Sequence, residues 1–138
     1  MIRLTKLPFA ALALTALALP AASSQAQSGP GYTIAETGRQ FTRLQDAVDA
    51  VGGGSATIRI GTGRHQDCAV QTMGQIAYVA EIPGQAIFDG VTCEGKAALV
   101  LRGTSASVAG LVFTNMRVPD FNGAGIRLEH GNLAVSQS

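Results

Sequence analysis

Arg127, Glu129 and His130 are the residues whose types and spacing best suit a small binding site in this sequence. In an extended run such as "AGIRLEH", side chains two positions apart share a face, so Arg127 and Glu129 point to solvent together with His130 at the turn beyond. A cation and a carboxylate side by side can hold a polar ligand; the same two residues also make an ordinary solvated surface pair. The only other histidine, His65, has no ligand-spaced partner, which argues against zinc. No nucleophile elbow, phosphate-cradling glycine loop or Cys-x-x-Cys is present. "VGGG" (51–54) closes a helical pattern instead of opening one, the wrong polarity for phosphate capture. No metal site is expected from these residues.

The elements that must position these residues are mostly short strands. "FTRLQDAVDAVGGG" places Phe41, Leu44, Val48 and Val51 at helical spacing, which predicts one amphipathic helix over 41–51, after an irregular lead-in over 27–40. From Ser55 onward the helical period gives way to short β-prone runs separated by Gly, Asn, Asp and Pro. One series is "ATIRI" (56–60), "IAYVA" (76–80), "ALVLR" (98–102) and "AGIRL" (124–128). A second is "CAVQT" (68–72), "AIFDG" (86–90), "VAGLVF" (108–113) and "LAVSQS" (133–138). Both recur with a drifting period in the low twenties, as a stacked, coiled β architecture does. Alternation turns Ile58, Ile60, Leu111, Phe113, Ile126 and Leu128 inward. No stretch between these runs is long enough for a crossover helix, so a doubly wound sheet is not expected.

The start of the chain reads differently. Arg3 and Lys6 precede the apolar run "LPFAALALTALAL" (7–19), Pro20 breaks it, and Ser24 and Ala26 supply the small residues of a cleavage site. Residues 1–26 therefore have the pattern of a secretory signal peptide, too short to span a bilayer comfortably as a retained anchor. Without them the formal charge falls from +1 to about −1, and no basic stripe offers a grip on nucleic acid. The expected location is secreted or periplasmic, with no membrane association after the leader is removed.

These residues resemble the right-handed parallel β-helix proteins of the pectate-lyase-like superfamily, over most of the chain after the leader. "FTRLQDAVDAV" followed by "GGGSATIRIGTGRHQDCAV" is similar to that family's capping helix, first strand and Gly-Thr turn, with His65 where a Tyr is usual. "AIFDG", "ALVLRG" and "SVAGLVFTN" look like successive rungs, with Asn115 where such folds stack Asn inside turns. The resemblance implies an all-β fold: a right-handed parallel β-helix of about four coils over 41–138, capped by the helix and open at its C-terminal end.

For function the resemblance implies polysaccharide as the partner but leaves the activity open, because one fold hosts many chemistries. Lyases of the superfamily hold Ca²⁺ against a uronate with carboxylates and remove a proton with Arg or Lys. The corresponding acids here would be Asp67, Asp89, Glu94, Asp120 and Glu129, and the bases Lys96, Arg102, Arg117 and Arg127. The acids are single and far apart in sequence, whereas Ca²⁺ needs six to eight converging oxygens, so no cofactor is expected unless a parent chain is a lyase. The reading is an exported, non-catalytic structural or carbohydrate-contacting module. The alternatives are the N-terminal part of a lyase or hydrolase of acidic polysaccharide, and a surface adhesin.

Two further expectations follow from coil spacing. Cys68 and Cys93 are 25 residues apart, about one coil, so they could stack on neighbouring rungs and form a disulfide in an exported compartment; the alternative is two buried thiols. The chain also stops within a coil after "LAVSQS", which suggests the N-terminal part of a longer β-helix or a truncated product, able to self-associate through its open end. If the leader reading holds, mass spectrometry of exported protein will place the mature N-terminus near Gln27; a stable cytosolic species that retains Met1 would refute it.

Overall fold

The computed structural model describes residues 31–138 together with residues 11, 13 and 15–19, so most of the expected leader lies outside the described residues. The chain is mostly β. It contains β1 (Tyr32–Ile34), β2 (Gln40–Phe41), α1 (Leu44–Val51), β3 (Ser55–Ile60), β4 (Gly63–His65), β5 (Ala69–Gln71), β6 (Gln75–Ala80) and β7 (Ala86–Asp89). These are followed by β8 (Ala97–Leu101), β9 (Ser105–Ala109), β10 (Leu111–Thr114), β11 (Ala124–Leu128) and β12 (Asn132–Ser136).

From β3 onward the chain visits three sheets in strict rotation. The first holds β3, β6, β9 and β12, the second β4, β7 and β10, and the third β5, β8 and β11. Every pairing among these strands is parallel, each strand lying on the one three elements before it. Two intervening strands thus supply the crossover that parallel pairing needs, and no helix is required.

Register lines the inward side chains into columns. In the first sheet Ile58, Tyr78, Val108 and Val135 share one column; in the second His65, Phe88 and Phe113; in the third Ala69, Leu99 and Ile126. The second-sheet column continues into β1 as an aromatic ladder, with centroids 5.3 Å apart for Tyr32–His65, 5.4 Å for His65–Phe88 and 5.7 Å for Phe88–Phe113. His65 belongs to this ladder, its Nε2 2.7 Å from the Gly61 carbonyl. Gln71 is the one buried polar side chain among the described residues. Its Nε2 lies 3.1 Å from Gly74 O and 3.0 Å from Ser105 O, while its Oε1 accepts the Tyr78 hydroxyl at 3.1 Å, tying a corner to two sheets.

At the N-terminal end a strand and two side chains cover the edges of the first and third sheets. β1 runs antiparallel on β3, and beyond its end the Glu36 carboxylate accepts the Thr57 N–H at 2.9 Å. Gln45 acts as a substitute strand for the free edge of β5: its amide donates to Val70 O at 3.0 Å and its oxygen accepts Val70 N–H at 2.8 Å. Arg43 provides no side-chain cap for α1, and Asp67 replaces it by accepting Leu44 N–H at 2.7 Å.

Several expectations need correction. The lead-in over 27–40 is not irregular throughout, because Tyr32 and Ile34 are buried in β1. The helix spans 44–51, not 41–51: Phe41 pairs with Tyr32 in β2 and Arg43 is extended. "VAGLVF" is two strands, broken at Gly110 with φ of 73°, which sends β9 and β10 to different sheets. Each expected series therefore mixes sheets, "ALVLR" and "AGIRL" stacking on "CAVQT" instead of on "ATIRI". "SASVA" of β9 and "GRH" of β4 were too weakly apolar or too short to read.

Corners tolerate no bulk. A Cβ on Gly74, which has φ of 74°, would meet the carbonyl oxygens of Gly52 and Gly54 in the corner beneath it. Asp67→Ala should lower the unfolding free energy by about 1 kcal/mol through loss of the helix cap, and Gly74→Ala should cost more than that. Urea unfolding of both variants checks the order.

Candidate functional site

Glu129 is drawn into a four-charge cluster on the outside of the third sheet. It follows β11, and its own N–H donates to Leu101 O at 2.8 Å, so the side chain reaches Arg102, the residue after β8. Glu129 Oε2 lies 2.6 Å from Arg102 Nε, and its Oε1 lies 2.6 Å from Lys96 Nζ. The opposite side of Arg102 is held by Glu94, through both terminal nitrogens of the guanidinium.

A tethered hairpin brings Glu94 and Lys96 there. Cys93 N–H donates to Ala97 O at 2.8 Å and Lys96 N–H to Cys93 O at 2.9 Å, with Glu94 and Gly95 at φ of 54° and 60°. The Cys68–Cys93 disulfide, with Cα atoms 5.5 Å apart, fixes this hairpin to the circuit below. The bond expected from spacing is present, though not between stacked rung positions. Strand register places Ala98 above Cys68, and the hairpin delivers Cys93 instead.

The cluster is electrically self-satisfied. Hydrogen bonds from Lys96 and then Arg102 hold the Glu129 carboxyl below its ordinary value, and the bond from Arg102 does the same for Glu94. The bonds to Glu94 and Glu129 in turn raise the Arg102 guanidinium further. A guanidinium held in its charged form between two carboxylates is a poor proton acceptor.

The trio picked out by spacing is divided. Arg127 sits on β11 in register with Val100, and its Nη2 donates to Asn122 O at 3.2 Å, away from Glu129. His130 is exposed, and its backbone N–H lies 3.2 Å from Leu101 O. The remaining acids have structural partners. Asp67 caps α1, while Asp89 accepts from Arg64 at 2.9 Å and from Asn115 at 2.8 Å. Asp120 accepts Asn122 N–H at 3.1 Å in the loop before β11. Asn115 is therefore exposed and bonded outward to Asp89, not stacked inside a turn. Arg117 lies exposed in the same loop as Asp120. Among the described residues no three His, Cys, Asp or Glu side chains converge on a point that could hold a metal ion.

A different surface emerges on the outer face of the first sheet. Register aligns Ser55, Gln75 and Ser105 in one row and Thr57, Ala77 and Ser107 in the next. With Glu36 at the rim they line a shallow groove of about 330 Å³. Sequence reasoning missed it because its residues lie in three runs and become neighbours only through strand register. The outward Ser-x-Ser of β9 and Ser-x-Thr of β3 were its only signal.

Neither a family model, a curated protein nor a solved structure matches this chain. The local geometry therefore carries the functional reading. Among the described residues no helix is long and apolar enough to cross a membrane.

The paired carboxyls set an acid limit. Glu94 and Glu129 titrate below 4.5 when folded, so the stability they contribute is complete above that unfolded value and is lost as pH falls through their lowered values. The contribution of these two carboxyls to thermal stability should therefore be lost as pH falls below the ordinary carboxylate range, and Glu129→Gln should flatten part of that acid slope. An unchanged slope in this variant would remove the cluster as its source.

Proposed function

We propose that this chain is an exported, non-catalytic, right-handed parallel β-helix module that contacts polysaccharide through the outer face of its first sheet. The rotation of the chain through three parallel sheets supports the β-helix reading, and parallel crossovers are right-handed in about 98% of cases. The apolar leader pattern and the Cys68–Cys93 disulfide support export.

The observation that carries the reading is the groove on β3, β6 and β9. It presents the hydroxyls of Ser55, Thr57, Ser105 and Ser107 and the amide of Gln75 on a stiff surface, in rows one strand spacing apart. Sugars exchange hydrogen bonds with such groups over several successive units, and a rigid face loses little entropy on binding. The occupied state of Lys96 and Arg102 supports contact over catalysis, since these two candidate bases are bonded to Glu94 and Glu129.

Depletion binding to a panel of insoluble polysaccharides tests this. Retention on at least one polymer is expected, without new chain ends or unsaturated products. Ser107→Trp, which fills the groove, should weaken binding by about tenfold or more. Binding to no polymer would overturn the reading, and unsaturated products would replace it with the lyase alternative.

A further inference from the structure

Charge is divided unevenly among the three sheets. The second carries Arg64 and Asp89 on its outside, and the third carries the cluster of Glu94, Lys96, Arg102 and Glu129. Among the outward positions of β3, β6 and β9 the one charged residue is Arg59, and it stands outside the groove. The groove itself is lined by a single charged side chain, Glu36.

Glu36 is held in place and held ionised. Both of its carboxylate oxygens lie 2.9 Å from Thr57 N. That backbone bond keeps the carboxyl below its ordinary value, and the charge of Arg59 acts in the same direction. Glu36 also lines a second cavity of about 170 Å³, which shares Ser55 and Ala56 with the groove. A glycan that runs across the strands from one cavity into the other therefore passes this carboxylate.

We propose that Glu36 is a specificity-determining residue that makes this face selective for uncharged glycans and rejects chains bearing carboxylates or sulfates. The inference rests on the polysaccharide-contacting reading of the groove and names its substrate class. An ionised carboxylate accepts hydrogen bonds and donates none, so the sugar beside it must present an O–H or N–H donor. Hydroxyl and acetamido groups meet that demand, and Ser, Thr and Gln in the groove supply both donors and acceptors to the rest of the chain. A uronate would instead meet a like charge, with no cation in the groove to offset it. Arg39, which lines the second cavity, packs its guanidinium over the Phe41 ring at 5.2 Å.

Depletion binding to cellulose, chitin, curdlan and mannan tests the proposal, each polymer compared with a form whose primary alcohols have been oxidised to carboxylates. Retention is expected on at least one unmodified polymer, with about tenfold weaker retention on its oxidised form at low ionic strength, a gap that added salt narrows. Glu36→Gln keeps an oxygen to accept the Thr57 N–H, and circular dichroism should show it folded. It should shrink the gap by about threefold or more. Equal or stronger retention on the oxidised forms, or a gap that Glu36→Gln leaves unchanged, would overturn the inference and leave the polysaccharide reading standing. Retention on no polymer in either form would overturn both.

Discussion

Every strand in this molecule has two edges, and each edge carries backbone donors and acceptors that are costly to leave unpaired. Parallel stacking meets that demand by laying each strand on the one three elements earlier, with every circuit serving as template for the next. The ends of such a stack need another solution. At the N-terminal end it is assembled from unlike parts: an antiparallel strand, a carboxylate, an amide and a helix. Gln45 shows the principle most directly, since one primary amide reproduces both hydrogen bonds a neighbouring strand would make to Val70.

In-register stacking has a second consequence, which is that side chains meet their equivalents. Inside the stack this produces the aromatic ladder from Tyr32 to Phe113 and the aliphatic columns. At the corners it forces backbone onto backbone. Gly74 lies against the Gly52–Gly54 turn and Gly131 against Gly103 and Thr104, with no room for a Cβ at either position. Gln71 compensates for the polar atoms trapped at such a corner, and its bonds to Gly74 O, Ser105 O and Tyr78 leave it fully engaged despite its burial.

Outside the stack, charge takes over the role of apolar contact. Arg64, Asp89 and Asn115 form a chain of polar contacts across three successive circuits of the second sheet. Glu94, Lys96, Arg102 and Glu129 do the same on the third sheet, with the disulfide holding two of the four in place. Such pairs are exposed and individually weak, but a network tethered by a covalent bond loses less entropy in forming.

Local pattern in the sequence determined the mostly β class, an amphipathic helix ahead of the parallel strands, and the inward faces of Ile58, Ile60, Leu111 and Phe113, and it made a Cys68–Cys93 disulfide an expectation. Those features depend on alternation and on spacings that one circuit sets, and both are visible along the chain. Tertiary structure alone decided which runs share a sheet, because turn lengths vary and a strand as short as Gly63–His65 counts fully in the rotation. It also decided that Glu129 pairs with Arg102 and Lys96 while Arg127 turns to Asn122, and that Asp67 caps a helix lying earlier in the chain. The physical reason is that partners in a stacked fold are chosen by strand register and by the corners between strands, over separations of more than twenty residues in each of these contacts except Arg127 with Asn122. No local window of sequence contains both members of such a pair.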